Sequence, residues 1–197
     1  MKSKILIILI LNAVLASSCI WSEHHYDQLT EAQKQAIPYK LGQVISFIDS
    51  LGITFDATVT KDTTYWSCVE DFYYKGYIQN KVVRLKSDSV NFDVELYAYG
   101  ICRCYETFGI SIVINGSSFF DLCFDTKGRF YPTNGYYSQN IYSNLEINNI
   151  FYYDVAESIN YYDENNIKCK FNSIFYNKTY GILKIEDKDK VLFTINN

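Results

Sequence analysis

Histidine occurs only twice in the 197 residues, at His24 and His25. A Ser-His-Asp or Cys-His catalytic unit needs its base held in register by a rigid scaffold, and an adjacent pair this close to the N-terminus offers none. As metal ligands, neighbours in an extended chain point apart, so both read as solvent-exposed side chains. Proline is as scarce, with two residues, and no stretch rich in Pro, Gly or Ser divides the chain, so one domain is expected. The 18 basic residues form no block and are outnumbered by 22 acidic ones. That excludes the basic face on which nucleic acid is bound and a polybasic patch for a bilayer. A long hydrophobic run is also lacking: Ile5–Leu11 is too short to cross a membrane as a helix of about 20 residues.

What is present first is an address. Lys2 and Lys4 precede Ile5-Leu6-Ile7-Ile8-Leu9-Ile10-Leu11, and the small residues Ala16-Ser17-Ser18 lead to Cys19. This is the charged, apolar and small-residue order of a secretory signal peptide. Leu15-Ala16-Ser17-Ser18-Cys19 resembles the bacterial lipobox, with Ala16 where a leucine is usual. The resemblance implies cleavage before Cys19, acylation of its thiol and a stable multi-chain membrane anchor. Residues 1–18 are then the lipoprotein signal peptide, 19–38 a tether and short helix, and 39–197 a single β domain. Loss of Lys2 and Lys4 leaves 16 basic against 22 acidic residues, a net charge of −6.

Nineteen Tyr and thirteen Phe suit pleated, half-buried surfaces and argue against extended disorder. Residues 20–28 are polar and aperiodic, as a tether would be. Thr30 and Gln33 make a capping box for a brief helix over Glu31–Ala36, ended by Pro38. Period-two alternation begins soon after Tyr39, clearest in Ile53, Phe55, Ala57 and Val59, with Gln43–Ile48 as the partner strand across Asp49–Gly52. It recurs at Phe92, Val94 and Leu96 and at Ile110, Ile112 and Ile114, after which Asn115-Gly116 signals a tight type I′ hairpin. Further strands are expected over Ser118–Phe124, Tyr142–Ile147, Ile150–Ile159, Ile167–Tyr176, Tyr180–Glu186 and Val191–Ile195, with turns at Asp125–Gly128 and Asp187–Lys190. The expected fold is all-β, an antiparallel meander of roughly ten to twelve strands as a curled half-barrel or sandwich, with one short N-terminal helix.

Two stretches, Leu29–Lys34 leading into Ile37–Phe47, and Ile174–Lys184, resemble segments of uncharacterised Bacteroidota lipoproteins. The second also looks like the strand-turn-strand of lipoproteins with curved half-barrel sheets. Within it Gly181 permits a bulge or a close backbone approach, and Ile182 and Ile185 share a face only with such an irregularity. Members of that phylum bound for the cell exterior often carry an acidic cluster after the cysteine. Glu23 is the single carboxylate in Ile20–His25, so the resemblance implies the periplasmic face of the outer membrane. Asp49-Ser50-Leu51, Asp62-Thr63-Thr64 and Asp88-Ser89-Val90 resemble the phylum's O-glycosylation site.

Beyond Cys19 stand Cys68, Cys102, Cys104, Cys123 and Cys169. Such thiols tend to oxidise outside the cytoplasm, but an odd number cannot all pair internally. Cys102 and Cys104 share a strand face, a spacing narrower than a zinc site's usual two to four intervening residues, and structural cysteines are expected rather than a metal. A two-residue loop at Asn115-Gly116 would set Cys123 opposite Phe108 and Cys104 roughly 13 Å along, beyond disulfide reach. A bridge to Cys68 or Cys169 then fits better. The carboxylates are scattered, and neither Asp163–Asn166 nor Asp187–Asp189 has the glycine and terminal glutamate of a calcium loop. Tyr pairs at 73–74, 136–137, 152–153 and 161–162 should turn one ring of each pair outward.

The expectation is a non-catalytic envelope lipoprotein, needing no cofactor, that binds a protein partner or an apolar ligand in a cavity lined by the inward Ile, Phe and Val residues. A carbohydrate-binding module is the alternative, requiring exposed Tyr and Trp66 rings in one plane. A hydrolase would require convergent carboxylates or a serine near a base.

Overall fold

The computed structural model describes residues 25–70, 75–99, 108–116, 118–125, 127–132, 137–160, 171–187 and 190–196. Among these residues twelve strands make one sheet: β1 (His25–Asp27), β2 (Val44–Asp49), β3 (Thr54–Glu70), β4 (Lys75–Lys86), β5 (Asp93–Tyr99), β6 (Phe108–Ile114), β7 (Ser118–Phe124), β8 (Tyr137–Ile147), β9 (Ile150–Asn160), β10 (Ser173–Asn177), β11 (Gly181–Asp187) and β12 (Lys190–Ile195). A short helix, α1, spans Glu31–Gln35. The spatial order is β7-β6-β5-β4-β3-β2-β12-β11-β10-β9-β8, so every neighbour but one along the path follows its partner in sequence. β12 closes the gap by pairing with β2. The sheet is the expected all-β meander, curled into a nearly closed barrel.

Alternation explains the curl. Phe55, Ala57 and Val59 of β3, Val94, Leu96 and Ala98 of β5, and Ile110, Ile112 and Ile114 of β6 are all buried on the inner face. Phe47, Phe55, Phe92 and Phe193 form a ring cluster with centroids 5.0–5.8 Å apart. Burial of each such side chain contributes about 1.5–3 kcal/mol. The inward side chains of the described strands therefore form one continuous hydrophobic core.

The turns follow their residues. Asp49 accepts the Leu51 and Ile53 amides at 2.9 Å. Asn148 and Asn149 both adopt positive φ, which asparagine tolerates, and close a two-residue turn between Ile147 and Ile150. Asn115-Gly116 does not form the two-residue loop that its composition suggests. Ile114 pairs with Ser118 and Cys123 with Gly109, a connection of three residues. Asn115 ties the loop to β5: its side-chain Oδ1 accepts the Asp93 amide at 2.9 Å while its backbone N–H donates to the Asp93 carbonyl at 2.7 Å.

The segment before β2 is more deeply built in than a tether. From His25 it adds a parallel strand to β4, with His25 opposite Gly76 and Asp27 opposite Ile78. The capping box on α1 is present, Thr30 Oγ1 accepting from Gln33 N and Gln33 Oε1 from Thr30 N. Leu29, Ala36, Ile37 and Tyr39 are buried, because two tyrosines bind this segment across the barrel mouth. Tyr176 Oη donates to the Ala36 carbonyl at 2.7 Å, and the Ile182 amide donates to Tyr39 Oη at 2.6 Å. Burial pushes both phenols well above the ordinary tyrosine range.

The barrel's two ends, β7 and β8, are joined by side chains. Gln139 Oε1 accepts the Cys123 amide at 2.8 Å and Gln139 Nε2 donates to the Cys123 carbonyl at 3.1 Å. Ser158 Oγ donates to the Asp121 carbonyl at 2.9 Å. A carboxamide carries the same donor and acceptor as a peptide group, so Gln139 stands in for one rung of a ladder.

Candidate functional site

β3 and β4 outrun the barrel. Among the described residues, β5 pairs with β4 as far as Asn80, and β2 with β3 as far as Thr58. Beyond those points the described part of the sheet is β1, β4 and β3, a three-stranded fin. The inward row of β4 records the transition. Val83 and Leu85 lie in the core. Lys81 then donates to the Lys34 and Ile37 carbonyls at 3.2 and 3.5 Å and lies 3.6 Å from Asp62. Gln79 accepts the Leu29 amide at 3.2 Å, and Tyr77 stacks on Tyr26 with centroids 5.2 Å apart. A lysine at the end of α1 complements carbonyls that lack helical partners, which seals the mouth while the sheet continues outward.

Three rings occupy one face of the fin. Tyr26 lies flat on Tyr77 at 12°, and Trp66 meets Tyr26 edge-on at 5.9 Å and 80°. Tyr26 is 64% exposed and Trp66 44%, high values for rings already packed on one another. Tyr65 and Tyr99 flank Asn80 on the opposite face, 43% and 38% exposed. Among the described strands, β3 from Lys61 onward pairs only with β4.

Below Tyr99 the outer wall carries polar clusters. Arg84 pairs with Asp93 and reaches Glu95 at 3.7 Å, while Tyr97 donates to Glu95. The guanidinium holds the Asp93 carboxyl low, and the bond to Glu95 pushes the Tyr97 phenol up to about 12. On β10 and β11, Lys184 lies 3.9 Å from the Phe175 ring centre and 2.7 Å from Glu186. These groups satisfy one another, and among the described residues they converge on no acid, base or nucleophile poised for chemistry.

Asp121 is the exception among the carboxyls. Burial raises its pKa, opposed by a hydrogen bond from Ser111, and burial together with Asp121 raises that of the Cys123 thiol. A carboxyl whose folded pKa exceeds its unfolded value, about 3.9, costs stability once ionised. The cost is absent in acid and develops as pH rises through the folded value. Asp121→Asn keeps an acceptor for Ser111 and is expected to stabilise the protein at pH 7 by on the order of 1 kcal/mol. Urea midpoints of the two proteins should converge near the acid end of a pH series; a constant offset would show that ionisation is not the cause.

Cys19, Cys102, Cys104 and Cys169, together with His24 and the acidic run at 163–166, lie outside the described residues. Cys68 is a free, exposed thiol on β3, and Cys123 is free and half-buried on β7. His25 enters the β1 ladder. Among the described residues no three His, Cys, Asp or Glu side chains gather as metal ligands. The Tyr152–Tyr153 pair divides as expected, the first buried and the second exposed. Ser50, Thr63 and Ser89 are all exposed. Two surface depressions, of about 310 Å³ lined by Tyr39, Gln43, Val44, Ser46, Thr179 and Tyr180 among others and about 430 Å³ lined by Asp56, Lys86 and Asp88 among others, are both open to solvent. Comparison with protein families, curated proteins and solved structures finds no match to this chain.

Proposed function

We propose that this is a non-catalytic lipoprotein of the cell envelope, held by lipid on Cys19, which meets a protein partner from outside its barrel. The sequence Leu15–Cys19 after a short apolar run carries the reading. Two features of the fold favour a partner over an enclosed apolar ligand. The inward side chains of the described strands are buried against one another, and the fin presents exposed aromatic rings beside an edge of β3 that pairs with no described strand, the arrangement by which a segment of another protein can add as a strand. Trp66 and Tyr26 stand perpendicular, whereas stacking on a sugar ring calls for a flat platform. The resemblance of Leu29–Lys34, Ile37–Phe47 and Ile174–Lys184 to Bacteroidota lipoproteins, with Glu23 the single carboxylate in Ile20–His25, supports an outer-membrane, periplasm-facing setting.

The test is intact mass on protein from the native membrane fraction beside a Cys19→Ala variant. A mass equal to residues 19–197 plus acyl chains is expected, with complete release from the membrane in the variant. An unacylated chain in both would overturn the anchor and leave a secreted β protein.

A further inference from the structure

We infer that the face of the fin bearing Tyr26, Tyr77 and Trp66 seats in the interface of the membrane that holds Cys19, fixing the orientation of the barrel. The inference rests on the lipid-anchor reading. His25 is bound into the sheet beside Gly76, and only six residue steps separate it from Cys19. Fully extended, they span about 20 Å, so an acylated cysteine holds the fin within that distance of the headgroups. The tether thus ends on the strand whose next residue is the most exposed of the three rings, Tyr26.

The chemistry of that face suits this occupant. Tyr and Trp carry an apolar body with one polar atom and gather at the membrane–water boundary, where each part is satisfied. Trp66 and Tyr77 come from two strands and Tyr26 from a third, so the rings form a patch rather than a line. In the barrel the same sheet face is closed off as core; past Gln79 its Tyr26 and Trp66 rings are exposed. Tyr65 and Tyr99 look the other way.

The experiment uses the acylated full-length protein in a Trp21→Phe background, where Trp66 is the sole tryptophan. It is reconstituted into phosphatidylethanolamine–phosphatidylglycerol vesicles with and without brominated acyl chains. Trp66 emission is expected to shift to shorter wavelength and to fall by roughly half with the brominated lipid, as for an interfacial ring. A reporter at the opposite end of β3 from the fin, Leu51→Trp in the exposed β2–β3 turn in a Trp21→Phe, Trp66→Phe background, is expected to keep its emission. Equal quenching of both reporters, or none at Trp66, would overturn the proposal, as would protection of Trp66 that arises only when envelope proteins are added. Intact mass separates the two failures. Acylated protein with an unquenched Trp66 overturns the docking and leaves the anchor standing, whereas a chain without acyl mass overturns both.

Discussion

Gly181→Ala is expected to destabilise the protein by about 2–5 kcal/mol, as the sum of backbone strain and overpacking. Gly181 sits at φ +80°, where a side chain strains the backbone, and a Cβ there would run into the ring and hydroxyl of Tyr39. Tyr39 has nowhere to retreat: it is buried, and its oxygen receives the Ile182 amide. The adjoining turn is equally committed, with Asn177 Oδ1 accepting the Thr179 and Tyr180 amides and Asn177 Nδ2 donating to the Tyr153 carbonyl. Set against a typical domain stability of about 5–15 kcal/mol, the loss takes a large share. Urea unfolding should show a lower midpoint at unchanged slope. In a Tyr39→Ala background the same substitution should cost only the strain, about 1–2 kcal/mol. A penalty that stays the same in both backgrounds would mean that Tyr39 is not what Gly181 accommodates.

The special character of Gly181 is legible in the amino-acid sequence, and the reason is local. A glycine in an otherwise apolar strand signals a bulge or close approach, and both are found: the β10–β11 register shifts beyond Phe175, which brings Ile182 and Ile185 inward together. Strands with one dry face, such as β5 and β6, are legible for a similar reason, since their apolar period is set by a single core. The outer half of β3 and most of β4 are not. From Thr60 to Asn80 neither face is core throughout, so Asp62, Thr64 and Trp66 occupy the same row as Phe55 and Val59 without its hydrophobic signature. β1 is three residues long and pairs in parallel without a turn, so nothing beside it in sequence announces a partner as distant along the chain as Gly76–Ile78. The Asn115-Gly116 pair announces a hairpin but not its loop length, and the Asn115–Asp93 bonds that tie the observed loop reach a third strand.

The seam is the least legible part of the barrel, and it supports the other large prediction. Gln139 stands in β8 among polar and apolar residues with nothing to distinguish it from an ordinary solvent-facing glutamine, yet it is 3% exposed. Gln139→Leu retains bulk but removes the acceptor of the Cys123 amide and one of the two donors to its carbonyl, which keeps the Tyr131 amide at 2.9 Å. A buried polar group left unsatisfied costs about 1–3 kcal/mol, so the orphaned Cys123 amide places the loss at about 1–3 kcal/mol if the seam stays closed. Opening the seam would hydrate it, and the loss then falls on the packing of β7 against β9. Hydrogen exchange distinguishes this from general weakening: β7 amides are expected to exchange at least about tenfold faster, a local opening below the global unfolding free energy, while β3 and β4 in the far wall are little changed. Gln139→Glu sharpens the test, since at neutral pH its carboxylate still accepts the Cys123 amide but faces the carbonyl with no proton to give. Intermediate stability is expected, from repulsion between the carboxylate and a Cys123 carbonyl that keeps only the Tyr131 amide. Unchanged β7 protection in both variants would mean that the barrel is closed by its core alone.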